Sequence, residues 1–181
     1  GEGGGDGGGG GGARGAGGGW WCACVEGGGQ AQIIGHKDSG IGERLGSALA
    51  IGDVTGDGID DLVAGAPYNR ACGPAQSGAV YVWEGTASGL DTKSPTATIC
   101  GTGSILDTTS STQDTKERVH LGEALAVAEL IAGGGEEVII GAPQAHTTSG
   151  GDVLSDAGAV LVFEVDAGDG TLDEDSASCM L

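Results

Sequence analysis

From residue 30 onward, short apolar runs alternate with turns of Gly, Asp, Ser and Thr, and apolar residues nowhere recur at helical spacing. That pattern predicts many short strands. The runs also repeat. Leu45-Gly-Ser-Ala-Leu-Ala-Ile51 returns 76 residues later as Leu121-Gly-Glu-Ala-Leu-Ala-Val127. The same offset places Leu62-Val-Ala-Gly-Ala-Pro67 over Val138-Ile-Ile-Gly-Ala-Pro143. After a loop four residues longer, Ser77-Gly-Ala-Val-Tyr-Val-Trp-Glu84 lies over Ala157-Gly-Ala-Val-Leu-Val-Phe-Glu164 at an offset of 80. Three matched segments in one order establish a duplicated unit.

Each copy reads as a four-stranded unit. In the first, strands are expected near Gly46–Gly52, Asp61–Ala66, Gly78–Glu84 and Thr96–Gly101. Small residues fill the first strand, as they must where strands crowd round an axis. The second copy repeats the first three near Gly122–Ala128, Glu137–Ala142 and Gly158–Val165. Gln32-Ile-Ile-Gly35 matches Thr98-Ile-Cys-Gly101 and is expected to be the outer strand of a preceding unit. Residues 1–29 contrast with all of this. Fourteen of the first 19 are Gly, so a flexible linker is expected, with Trp20–Val25 as a short apolar run inside it.

The motifs within the first copy carry a resemblance. Gly52-Asp-Val-Thr-Gly-Asp-Gly-Ile-Asp-Asp-Leu62, then Gly65-Ala-Pro67 and Gly78-Ala-Val-Tyr-Val82, resemble the FG-GAP repeat. That repeat is the blade of the integrin α-subunit β-propeller and occurs in the propeller of a secreted phospholipase D. The resemblance covers about residues 30–181 and implies an all-β fold. It implies a partial β-propeller of about two four-stranded blades, residues 42–101 and an incomplete 118–181, plus the outer strand of a preceding blade. The Phe-Gly position is Leu45-Gly46 in one copy and Leu121-Gly122 in the other, a mild change of packing residue.

One segment has clear chemistry. Asp53, Thr55, Asp57 and Asp61 offer side-chain oxygens at relative positions 1, 3, 5 and 9, and Ile59 offers its carbonyl at position 7. Ca²⁺ takes 6–8 such oxygens at about 2.3–2.6 Å. An EF-hand is excluded, because its twelfth position needs a bidentate Glu and here holds Ala64. The run after the loop, Leu62-Val63-Ala64, is strand-like, which places one structural calcium site in the hairpin between two strands. An Asp/Gly turn is the plainer reading. Three carboxylates without a Lys or Arg among them weigh against it, since like charges repel by about 1 kcal/mol per close pair even in water. Asp60 falls between ligand positions and is expected in solvent. The second copy presents Glu129, Ile131, Gly133, Gly135 and Glu137 at the aligned positions, so no calcium is expected there, and both Glu are expected to be exposed.

Composition narrows the function classes. The chain of 181 residues carries 26 acidic and 7 basic side chains, a net charge of −19. Such a surface repels phosphate backbones and excludes nucleic acid as a partner. No apolar run approaches the ~20 residues of a membrane span. The five cysteines, 22, 24, 72, 100 and 179, have no zinc spacing; an odd count leaves at least one unpaired within the chain, and Cys72 or Cys100 is the candidate for a disulfide. Catalytic signals are missing. There is no Gly-x-Ser-x-Gly elbow, and His36 and His146 stand in loops without a carboxylate arrangement. His120 with Glu123 reads as a strand-edge histidine rather than a metal pair. The acidic tail 166–175 misses the metal spacing, and the Gly runs 7–12 and 133–135 lack the Lys-Ser/Thr of a phosphate loop.

The resemblance therefore implies a non-enzymatic, calcium-stabilised extracellular or cell-surface module for adhesion or protein-ligand binding. No signal sequence is visible in the chain. Loops 68–77, 102–120 and 144–157 are expected to face a protein ligand or partner subunit, with further blades needed to close the ring. The alternative is a non-catalytic propeller domain of a secreted phospholipase D-type enzyme.

Overall fold

The computed structural model describes residues 34–35, 42–70, 76–90, 92, 94–101, 118–132, 134–149, 152–154 and 156–164. The chain divides into two units, Gly1–Ile33 and Ile34–Leu181, and all described residues belong to the second. The expected linker, the Trp20–Val25 run, His36 and the acidic tail lie outside them.

Every described element is a strand: β1 (Leu49–Gly52), β2 (Asp61–Ala66), β3 (Ala79–Trp83), β4 (Gly85–Thr86), β5 (Gly89–Leu90), β6 (Ala97–Cys100), β7 (Ala124–Ala128), β8 (Glu137–Ala142), β9 (Thr147–Ser149), β10 (Asp152–Leu154) and β11 (Ala159–Phe163). The first copy forms a four-stranded antiparallel sheet in the order β1-β2-β3-β6. Its register runs Leu49 opposite Ala64, Leu62 opposite Trp83, and Ala79 opposite Cys100. The second copy forms the matching three-stranded sheet β7-β8-β11, with Leu125 opposite Ile140 and Leu161 opposite Ile140 from the other side. Residues 165–181, which follow β11, lie outside the described set. The all-β fold with blade-like sheets is therefore as the sequence implied.

The duplication extends to unusual backbone. Arg44 and His120 have φ of 58° and 54°, Gly46 and Gly122 both have 87°, and Gln76 and Asp156 have 77° and 52°. These left-handed turns explain why β1 starts at Leu49 rather than Gly46, and β7 at Ala124 rather than Gly122. A residue with φ near +87° cannot lie in a pleated ladder. Two further departures concern loops. The stretch 84–90 closes as the small hairpin β4–β5, and the loop 144–157 contains the hairpin β9–β10. Ile34 and Gly35, expected in an outer strand, are not in one.

The main core lies where the two sheets face each other. Val63, Val80, Val82 and Ile99 from the first meet Val138, Ile140, Leu161 and Phe163 from the second in one buried cluster, with Leu125 and Val127 of β7 against it. The opposite face of the first sheet buries Ala64, Ala66, Tyr81 and Trp83 in a second cluster. Alternation along β3 is thus buried on both sides. Contact between the sheets is close enough to exclude side chains. A Cβ at Gly65 would collide with the Gly122 carbonyl, and one at Gly78 with the backbone of Leu121. A parallel bridge joins Gly78 to Leu121 at this point.

Candidate metal centre

The loop 53–61 joins β1 to β2 and is held shut by its own carboxylates. Asp53 accepts from two backbone amides, Asp57 N–H to Oδ1 at 3.0 Å and Gly58 N–H to Oδ2 at 2.8 Å. Asp57 Oδ1 accepts the Ile59 N–H at 2.8 Å. Asp61, only 1% exposed, takes the Thr55 N–H at 2.9 Å with Oδ2 and the Gly85 N–H at 2.8 Å with Oδ1. Gly58, at φ 86°, supplies the turn that brings the chain back, in a conformation costly for any residue with a Cβ. Asp60 is exposed, as its position implied.

These bonds change the electrostatic picture drawn from the sequence. The carboxylates are not left to repel one another; five backbone N–H dipoles converge on them. A carboxylate oxygen has two lone pairs, so a backbone bond leaves capacity for a further partner. The donor set is oxygen only and suits a hard cation. Thr55 Oγ1, at ligand position 3, is buried without any hydrogen-bond partner, which is the observation that fits an ion. Against that, among the described residues no three His, Cys, Asp or Glu side chains are gathered closely enough to hold a metal. The loop is built, but its carboxylates face backbone amides.

The second copy contributes to the same place. Glu136 N–H donates to the Asp53 carbonyl at 2.7 Å, and the Asp53 N–H donates to Glu136 Oε2 at 2.9 Å. Gly135 is buried against the Val54 carbonyl and Gly56, where a Cβ has no room. Sequence reasoning missed Glu136. Its counterpart in the first copy is Asp60, and no local signal distinguishes the two.

Glu137 overturns an expectation. It is not an exposed hairpin residue but 1% exposed, and its Oε2 accepts the Leu130 N–H at 2.7 Å and the Ile131 N–H at 3.3 Å. Ile131 is the counterpart of Thr55, so Glu137 repeats the bond that Asp61 makes. Burial follows from the job, because a carboxylate that caps loop amides must lie beneath the loop. Its Oε1 has no partner. Residue 165, the counterpart of Gly85, lies outside the described residues. Glu129 is exposed as expected.

The other end of the sheets is built differently. There Asn69 Nδ2 donates to Glu43 Oε2 at 3.0 Å and to Tyr81 Oη at 2.7 Å, all three buried. Their counterparts Val119, Ala145 and Leu161 belong to the main apolar cluster. Tyr68 lies between repeat-equivalent residues: the Arg44 guanidinium carbon stands 4.4 Å from its ring centre and the His120 ring 4.5 Å away. His120 is buried, its Nδ1 3.5 Å from Glu123 Oε2, and its Nε2 has no partner. His146 is also buried and accepts the Asp156 N–H through Nδ1 at 3.3 Å. Cys100 is disulfide-bonded. Of the loops expected at this end, 76–77, 118–120 and parts of 144–157 are described, and the intervening stretches are not. No helix is long and apolar enough to cross a membrane among the described residues.

Comparison with known proteins agrees with this architecture. Residues 45–83 match the family model of the FG-GAP repeat. Phosphatidylinositol-glycan-specific phospholipase D from Bos taurus is 35% identical over 100 residues, which is 55% of this chain and 10% of the relative. The Rattus norvegicus protein of the same name matches equally. Integrin alpha-5 of Xenopus laevis is 43% identical over 51 residues, 28% of this chain and 5% of the relative. The chain thus spans a tenth or less of the length of the relatives it matches.

Proposed function

We propose that this chain is a calcium-binding FG-GAP propeller module of an extracellular or cell-surface protein, integrin-alpha-like, which binds a protein ligand or partner subunit and performs no catalysis itself. Asp53, Thr55, Asp57 and Asp61 would hold the ion with the Ile59 carbonyl. Calcium supplies charge there and no reaction. The observation that carries this reading is the buried, partnerless Thr55 hydroxyl within an all-oxygen loop already closed at Gly58. The recognition surface would be loops 68–77, 102–120 and 144–157. β2 runs away from the metal loop and reaches Pro67 at its far end, which favours that assignment. Residues 1–29 would be a linker and 30–181 the repeats.

The test is thermal unfolding with and without calcium. An extracellular-type site with a dissociation constant of about 0.3 mM gains about 2 kcal/mol at about 10 mM Ca²⁺. Asp57 is exposed and accepts one amide, so Asp57→Ala should fold and lose that gain. A wild-type chain indifferent to calcium would sink the proposal.

A second reading has its own support, because the match to the phospholipases is twice as long as that to the integrin. Under it the chain is the propeller domain of a secreted phospholipase D-type enzyme. Sequencing the transcript beyond both ends separates the two. A cluster of zinc ligands upstream supports the enzyme; an apolar segment of ~20 residues downstream supports the receptor.

A further inference from the structure

Charge is divided between the two ends of the strands. Among the described residues the arginines are Arg44, Arg70 and Arg118, each exposed, in the turns that precede β1, follow β2 and precede β7. Antiparallel pairing of β1 with β2 and of β7 with β8 puts those turns at one end, away from the loops 53–61 and 129–137. The opposite end holds these two acidic loops, with Glu84 and Glu164 beside them. Among the described residues none of the three arginines makes an ion pair. The acids at their own end are engaged elsewhere or stand apart. Glu43 is buried against the Asn69 amide, Glu123 faces His120, and Asp156 is exposed in the loop before β11.

The three arginines gather round Tyr68. The Arg44 guanidinium carbon stands 4.4 Å from its ring centre, and the ring of His120, from the second copy, stands 4.5 Å from it. Arg70 follows Tyr68 by two residues, and Arg118 precedes His120 by two. A guanidinium over an aromatic ring still presents N–H donors at its rim, and those of Arg44 meet no acceptor among the described residues. His120 is only 5% exposed, so Tyr68 rests against a fixed neighbour and in turn holds Arg44. Side chains already held in place lose little freedom when a ligand docks.

We propose that the Arg44, Arg70 and Arg118 face binds a carboxylate-bearing segment of a protein ligand, with Tyr68 as its anchor. This rests on the reading of this end as the recognition surface and names the chemistry of its partner. A guanidinium fork matches a carboxylate with two parallel N–H bonds. The net charge of −19 repels a long polyanion, whereas within a Debye length of about 8 Å the unpaired arginines set the local field. A short acidic segment satisfies both conditions.

Nitrogen-15 NMR of the full chain tests it, with a capped Gly-Asp-Gly-Asp-Gly peptide as probe and its Asn analogue as control, at about 20 mM salt. The Asp peptide should shift the amides of Tyr68, Arg70, Arg118 and His120 saturably, with a dissociation constant of about 1 mM, and the Asn peptide should not. Salt at about 0.5 M, Arg70→Glu and Arg118→Glu should each weaken binding at least about fivefold. Arg14→Glu changes the net charge equally and should change affinity less than about twofold. Arg70→Gln and Arg118→Gln replace any Glu variant that misfolds, with the same direction expected. No saturable shift, equal effects of all three reversals, or heparin fragments bound more tightly than the peptide would overturn the proposal. Shifts confined to residues 144–149 and 152–157 that survive Arg70→Glu and Arg118→Glu would overturn it too, while leaving the recognition surface itself in place.

Discussion

Asp61 and Glu137 show what a carboxylate at the ninth loop position does in both copies, whatever it does for a metal. Each lies beneath its loop and accepts two backbone N–H groups, of which the Gly85 N–H under Asp61 is buried and the others part-buried. Losing such a cap strands two donors, at about 1–3 kcal/mol each. Asp61→Ala and Glu137→Ala should both lose about 2–4 kcal/mol in urea unfolding, measured in chelator. If only Asp61 mattered, and only with calcium present, the capping role would be wrong. The Asn69 site offers a reciprocal pair. Asn69→Ala removes the amide shared by Glu43 and Tyr81, and Ala145→Asn inserts an amide into the apolar counterpart. Each should cost about 1–3 kcal/mol, because the three positions change character together. The sequence showed the metal-loop residues but not their bonding, since spacing does not say whether an Asp faces an ion or its own backbone. Nor could it show Glu137 buried. A Glu pair after a Gly run has the local signature of a solvated turn, and only the offset of 76 reveals Glu137 as the partner of Asp61.

At the scale of elements, legibility follows the strength of the alternation. β2 and β8 were readable to the residue because an acidic start, an apolar run and Gly-Ala-Pro bound them on both sides. β1 and β7 begin two or three residues late because Gly46 and Gly122 sit at φ 87°, and a glycine in sequence does not announce its sign of φ. The hairpin β9–β10 escaped for a different reason. Thr147 to Leu154 offers Thr, Ser, Gly and Asp with only two apolar residues, so no period-2 face stands out. Sheet-on-sheet contact at Gly65 is the element-scale feature with the sharpest consequence. Gly65→Ala drives a methyl into the Gly122 carbonyl and should destabilise the chain by about 1–3 kcal/mol or more. The equivalent Gly141→Ala meets only Ala124 Cβ at 3.2 Å and should cost clearly less. Equal urea midpoints for the two variants would contradict the packing described.

At the scale of the molecule, acid dominates. The loop 53–61 and its counterpart 129–137 meet through the Asp53 backbone and Glu136, where the sheets adjoin. Repulsion across the net charge of −19 should make stability rise with ionic strength, visible as a higher urea midpoint at about 0.5 M salt than at about 20 mM. A divalent ion answers the same repulsion locally and far more efficiently than bulk salt. The most direct measurement of that claim is a calorimetric titration of calcium into the wild-type chain and into Asp57→Ala. The account predicts one site per chain in the wild type, with an affinity in the 10⁻⁴–10⁻³ M range of extracellular modules, and no site in the variant. No binding heat in either protein, or the same isotherm in both, would contradict it.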